Sequence, residues 1–155
     1  KLPKGYLTKL DGRTFGEVLL DPTHIYVGLI EDCLKAGVNI HYAVNITGHG
    51  WRKLMRAPQR FSYIIDKLPP PLPIFDFLQR RGPVDDGEAF ANLNMGAGFG
   101  IYIPEKDVGK VDKVVKASGY PKGFGFVAGH IERGPKRVYI VPKKIEFRGD
   151  SLAVR

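Results

Sequence analysis

Asn45-Ile46-Thr47-Gly48-His49-Gly50-Trp51-Arg52-Lys53-Leu54-Met55-Arg56 is the stretch from which the chain is read. Upstream, residues 38–44 are an alternating, β-branched run of the kind that forms a strand. Downstream, Trp51, Leu54 and Met55 fall on one side of a short amphipathic run, and Arg52, Lys53 and Arg56 on the other. Thr47 has the chemistry of a helix N-cap, its hydroxyl accepting a backbone N–H of the first turn. Gly48 and Gly50 have no side chain to hold a ligand away from the backbone. The pattern predicts a strand, a glycine loop and a helix start whose amides face outward, the geometry of an anion site. Arg52 and Arg56, four positions apart, share a helix face and are placed to close on a phosphate. A tight turn with no ligand accounts for the same glycines, and spacing alone slightly favours it, because glycine turns are common.

The chain has 155 residues, enough for one domain that buries roughly 70% of its unfolded surface. No apolar run approaches the roughly 20 residues of a membrane span, and Lys1-Leu2-Pro3-Lys4-Gly5 has no signal-peptide core. A single cysteine, Cys33, excludes an internal disulfide and a cysteine zinc cluster. Its apolar helical neighbours predict a buried thiol, and a cytoplasmic location fits. The net charge of +8 admits nucleic acid, anionic membrane or phosphorylated small molecules as partners. The basic residues are scattered, so a solvated surface with one phosphate pocket is expected, and no membrane partner.

Residues 1–20 read as the tail of an interdomain linker and a short lead-in element stopped at Asp21-Pro22; residues 21–155 read as the domain. Helices are expected over residues 25–35, 74–80, 85–93 and 105–118, the third opened by an Asp85/Glu88 capping box. Val108, Val111, Val114 and Val115 are expected to point inward from the fourth. Pro69-Pro70-Pro71-Leu72-Pro73 reads as a stiff loop, although it also has the look of a polyproline ligand. Strands are expected over residues 60–66 and 98–104. Residues 124–132 and 136–141 are expected to pair as a hairpin through Arg133-Gly134-Pro135, with a last strand and tail in residues 144–155. The interleaving predicts an α+β fold, a mixed or antiparallel sheet with helices packed on one face.

Four blocks in order resemble aminoimidazole ribonucleotide (AIR) synthetase, or phosphoribosylformylglycinamidine cyclo-ligase. Ile46-Thr47-Gly48-His49-Gly50 with Arg56 is similar to that family's I-T-G-G-G…N-I-P-R. Residues 14–27, Thr-Phe-Gly-Glu-Val-Leu-Leu-Asp-Pro-Thr-His-Ile-Tyr-Val, look like T-x-G-E-x-L-L-x-P-T-R-I-Y-V. Pro73-Ile74-Phe75-Asp76-Phe77-Leu78-Gln79 looks like P-x-I-F-x-W-L-Q. Glu88 with Leu93-Asn94-Met95-Gly96-Ala97-Gly98 looks like E-M…F-N-M-G-x-G. The likeness is to the C-terminal half, so it implies the C-terminal domain of the AIR synthetase-like two-domain fold. The aspartate- and glycine-rich segment of the family's N-terminal ATP-binding domain is expected to be absent from this chain.

The resemblance implies an ATP-dependent ligase that closes the imidazole ring of formylglycinamidine ribonucleotide to give AIR in purine biosynthesis. It implies ATP and Mg2+ as cofactors, bound mostly by the missing N-terminal domain, and a homodimer in the full-length protein. The fragment alone is expected to be inactive. This half would supply a cleft wall and hold a phosphorylated small-molecule substrate through Asn45, Thr47, Gly48, His49, Gly50, Arg52, Arg56, Asn94, Met95 and Gly96. No catalytic residue is assigned. Three departures stand out: His49 replaces a family glycine, Asn45 a second histidine, and Lys53-Leu54-Met55-Arg56 the N-I-P-R segment.

Other motifs compete. Gly96-Ala97-Gly98-Phe99-Gly100 suggests a dinucleotide fingerprint but precedes a strand instead of following one. Asp85, Asp86 and Glu88 lack the further ligands a metal site needs, so no metal is expected. Lys122-Gly123-Phe124-Gly125-Phe126-Val127 matches the first six positions of the RNA-recognition octamer, which makes an RNA-binding module the alternative. A stand-alone regulatory domain that binds purine nucleotides is a further alternative.

Overall fold

The computed structural model describes residues 2–152 and is built around a four-stranded mixed sheet. A ribbon of β1 (Lys9–Leu10) and β2 (Arg13–Thr14) leads into α1 (Phe15–Leu19). Next come α2 (Val27–Lys35), β3 (Tyr42–Asn45), β4 (Phe61–Ile65), α3 (Pro73–Arg81), α4 (Asp86–Asn92) and β5 (Phe99–Tyr102). The chain continues through α5 (Val108–Ala117), β6 (Gly129–Arg133), β7 (Arg137–Ile140) and β8 (Ile145–Arg148). The large sheet has the order β6-β4-β7-β8, while β3 and β5 pair antiparallel as a separate sheet. The α+β class and the mixed sheet are as the sequence predicts. Among the described residues, no helix is long and apolar enough to cross a membrane.

Local chemistry accounts for most element ends. Thr14 and Glu17 form a reciprocal capping box at α1, within the stretch read as linker. Arg13 grips Asp21 through two hydrogen bonds of 2.8 and 2.7 Å, closing the lead-in on itself. Asp85 caps α4 by accepting from the Glu88 N–H at 2.7 Å, and Pro73 occupies the first turn of α3, where its missing N–H costs nothing.

The expected hairpin is not one. β4 lies between β6 and β7, antiparallel to the first and parallel to the second. β4 is the strand best suited to a central place, since Ser62, Tyr63 and Ile65 are all buried. The turn from β6 to β7 therefore passes over the start of β4, where Ser62 Oγ donates to the Pro135 carbonyl at 3.0 Å. The core joins this sheet to α4 and the segment after β3 through Trp51, Met55, Tyr63, Phe90, Val138 and Ile140. The last three residues of the expected final tail, 153–155, lie outside the described residues.

Candidate functional site

The two glycine-bearing segments singled out by sequence are neighbours. Asn45 pairs with Phe99, so the bend after β3 stands beside the loop before β5. The Ile46 N–H donates to the Gly98 carbonyl at 2.9 Å, and the Trp51 indole N–H donates to the Asn94 carbonyl at 3.0 Å. Trp51 is 1% exposed and packs edge-on against Phe90, with ring centres 5.6 Å apart, so the link sits on the core.

The loop before β5 is held in an uncommon conformation. Met95 and Gly96 have φ of 47° and 94°. A non-glycine residue at positive φ costs on the order of 1–2 kcal/mol, and such strain concentrates at functional sites. The turn is fixed by the Gly96 N–H donating to Asn94 Oδ1 at 3.0 Å and the Ala97 N–H donating to the Asn94 carbonyl at 2.9 Å. Asn94 thus uses its side-chain oxygen inside the turn, and among the described residues its amide NH2 has no protein acceptor. Met95 is buried in the core and offers only backbone. Gly98 is needed because the Tyr26 hydroxyl occupies the place of its Cβ; Tyr26 in turn stacks on Phe99 at 5.0 Å.

The bend itself departs from the predicted helix start. Gly50–Met55 is a 3-10 helix of six residues, and His49 takes the N-cap position with no side-chain bond. Thr47 is therefore not the cap, and so short a segment supplies little dipole for an anion. The expected alignment of cations changes too. At three residues per turn, positions i and i+3 eclipse, so Lys53 aligns with Arg56 and Arg52 turns aside. Arg52 is taken up by other elements. Its Nε donates to the Ala91 carbonyl at 2.9 Å, Nη1 to the Ser151 carbonyl at 3.0 Å and Nη2 to Asn92 Oδ1 at 3.2 Å.

Lys53 is the residue that sequence reasoning passed over. Its Nζ donates to Thr47 Oγ1 across the bend. Burial and then the charge of Arg56 push its pKa below the usual lysine value. Among the described residues, neither Lys53 nor Arg56 forms a salt bridge. The only signal in the sequence was its spacing of i+3 to Arg56, which has meaning once the helix is known to be 3-10.

Thr47 and Gly48 are exposed, and a Cβ at Gly48 would meet nothing within 4 Å. Among the described residues, the N–H groups of Thr47, Gly48 and His49 donate to no protein acceptor. Gly50 has a different role. Its φ is 50°, and a Cβ there would run into the Phe90 carbonyl and lie 2.7 Å from the Ala91 carbonyl carbon. His49 has a φ of −111°, so replacing a glycine there brings no left-handed strain. Asn45 is exposed at the end of β3.

The competing motifs come out differently. Lys122-Gly123-Phe124-Gly125-Phe126-Val127 is not a strand, and β5 pairs with β3 instead of with this segment. Phe124 stacks on Tyr120 with ring centres 4.0 Å apart and lies edge-on to His24 at 5.0 Å. The base-stacking sheet face that the RNA reading needs is absent from this segment. Among the described residues, no group of three or more His, Cys, Asp or Glu is placed to hold a metal ion.

No family model matches the chain. Curated proteins do. It is 40% identical to the phosphoribosylformylglycinamidine cyclo-ligase of Methanocaldococcus jannaschii over 111 residues, which is 71% of this chain and 32% of that protein. The cyclo-ligase of Methanococcus maripaludis (strain DSM 14266) is 40% identical over 121 residues, 78% of this chain and 34% of that protein. That of Methanosarcina mazei is 42% identical over 102 residues, 66% of this chain and 30% of that protein. The chain spans about a third of the length of the curated relatives it matches. Over most of its length, the chain is therefore homologous to phosphoribosylformylglycinamidine cyclo-ligase, the AIR synthetase of purine biosynthesis, and accounts for about a third of that protein.

Proposed function

We propose that this chain is the substrate-holding, C-terminal domain of an AIR synthetase. The observation that carries the reading is the fastening of the β3 bend to the Asn94 loop by two hydrogen bonds, Ile46 to Gly98 and Trp51 to Asn94. These segments hold two of the four family-like blocks, and the bend carries amides and two cations, Lys53 and Arg56, that among the described residues have no carboxylate partner. In this reading, the Thr47, Gly48 and His49 amides, with Lys53 and Arg56, hold the phosphate of formylglycinamidine ribonucleotide. The Asn94 amide and the Gly96 backbone border the reacting end. Arg52 acts as a strap that holds the bend to α4.

In the overall reaction, ATP phosphorylates the formyl oxygen, the amidine-side nitrogen attacks the formyl carbon, and phosphate leaves. Magnesium does not fit the residues described here, because no carboxylate cluster is placed to take it. The metal and most ATP contacts are accordingly assigned to the rest of the enzyme. What this domain contributes is positioning and neutralisation of substrate charge.

The test joins this chain to the remaining part of the M. jannaschii relative and measures ADP release dependent on formylglycinamidine ribonucleotide. Lys53→Ala and Arg56→Ala should each raise KM for that substrate by about tenfold, the effect of losing roughly 1.4 kcal/mol of binding. Gly48→Val should impair activity without lowering the melting temperature, because its side chain enters open space. Full activity in all three variants removes the bend from the mechanism.

A further inference from the structure

A second cationic site lies at one end of the large sheet. A cavity of about 590 Å3 opens between Arg60, just before β4, Gly134 and Lys136 in the β6–β7 turn, and Arg148, Gly149 and Asp150 at the end of β8. Strand register brings these together: Phe61 pairs with Arg133, and Arg137 with Arg148. None of these residues belongs to the bend.

Charge at this end is unbalanced. Glu146 is shared between Arg137 Nη1 at 2.9 Å and Arg148 Nε at 3.1 Å, and these two arginines hold its pKa below the usual glutamate value. Among the described residues, Arg60 and Lys136 have no carboxylate partner. Among the described residues, counting Arg137 and Glu146 behind the wall, four cations face two carboxylates, Glu146 and Asp150.

The walls are also fixed in place. The Gly149 N–H donates to the Lys136 carbonyl at 2.9 Å, joining the two rims. Below the turn, buried Ser62 donates to the Pro135 carbonyl at 3.0 Å and accepts from Arg137 Nε at 3.1 Å. These bonds hold the backbone that carries Lys136, so binding an anion orders the cationic side chains and not the loop. The depression is open to solvent along one side, so it is a groove with room for an anion carrying more than one phosphate group.

We propose that this cavity binds a small polyphosphate-bearing molecule, at a site separate from the substrate surface at the bend. Arg60 and Lys136 are the principal cations, and Arg148 assists. Among the described lining residues, Asp150 is the one that opposes binding.

Inorganic tripolyphosphate titrated into the 155-residue chain at about 0.15 M salt tests this. The expected result is saturable amide NMR shifts at Lys136, Gly149 and Asp150. In calorimetry, Arg60→Ala and Lys136→Ala should each weaken this binding about tenfold. Asp150→Asn should tighten it several-fold, a gain that damage to the fold cannot mimic. Lys53→Ala should leave the shifts at Gly149 and Asp150 in place. Shifts confined to the bend, shifts spread over the whole basic surface, or unchanged affinity in Asp150→Asn would overturn the proposal.

Discussion

Trp51 and Asn94 are joined by a hydrogen bond, 3.0 Å from the indole nitrogen to the backbone carbonyl, which ties together two loops far apart in sequence. Trp51→Phe keeps an aromatic ring but removes the donor and leaves a gap in the core. The expected cost is about 2–3 kcal/mol, combining a lost buried hydrogen bond with a partial cavity. Urea unfolding measures it. Amide NMR should show the Gly96 and Ala97 signals moving more than those of the distant sheet. An unchanged loop would mean that the Asn94 turn is held by its own internal bonds.

Gly50 and Gly48 should respond in opposite ways. Gly50→Ala places a Cβ on the Phe90 carbonyl at a left-handed position. A loss of about 2–4 kcal/mol is expected from overpacking and backbone strain together. Gly48→Ala meets no neighbour and should stay within about 0.5 kcal/mol of the parent. Thermal melts of both proteins decide; equal stability in the two would show that the bend is free to shift off α4.

The two arginines separate in the same manner. Arg52→Ala leaves the Ala91 and Ser151 carbonyls and the Asn92 side chain without their donor, and should cost about 1–3 kcal/mol. Arg56 is exposed, and Arg56→Ala should change stability by no more than about 0.5 kcal/mol. Comparing chemical denaturation midpoints for the pair tests the strap assigned to Arg52.

His130 makes the sheet edge sensitive to pH. Its ring nitrogens meet Asp66 at 3.0 Å and Glu132 at 3.2 Å, and these hydrogen bonds, Asp66 first, raise its pKa above 6.5. A raised native pKa favours the folded state while the ring is protonated. The contribution is therefore complete below about pH 6.5 and fades as pH rises through the elevated native value. The melting temperature of the parent should exceed that of His130→Gln most at pH 5.5, with the gap narrowing by pH 8. The site is exposed, so added salt should shrink the gap. A gap that grows with pH would reverse the assignment.

What could be read from the chain depended on how local its causes were. Asp85 announces α4 because a cap acts over three residues, and Pro73 and Gly82 bracket α3 for similarly local reasons. The resemblance assigns the bend and the Asn-Met-Gly loop to one substrate, but no residue pattern announces that they touch. The misjudged hairpin had no local mark against it. Nothing between Arg133 and Arg137 shows that β4, from far upstream, will enter between its strands. The bend failed for another reason: over six residues, periods of 3.0 and 3.6 place Trp51, Leu54 and Met55 almost alike. They differ in which cations line up, so Arg52 was favoured and Lys53 missed. Left-handed Met95 was illegible as well, since its conformation is imposed by the turn around it.

The placement of β4 has a consequence for biosynthesis. Ile65 ends up between Gly129 and Ile140, both of which leave the ribosome long after it does. Until then Tyr63 and Ile65 have no strand on either side, and the nascent chain carries an uncovered, adhesive ribbon. Release of a product truncated ahead of β6 would leave that ribbon permanently bare, a substrate for holding chaperones and a seed for aggregation.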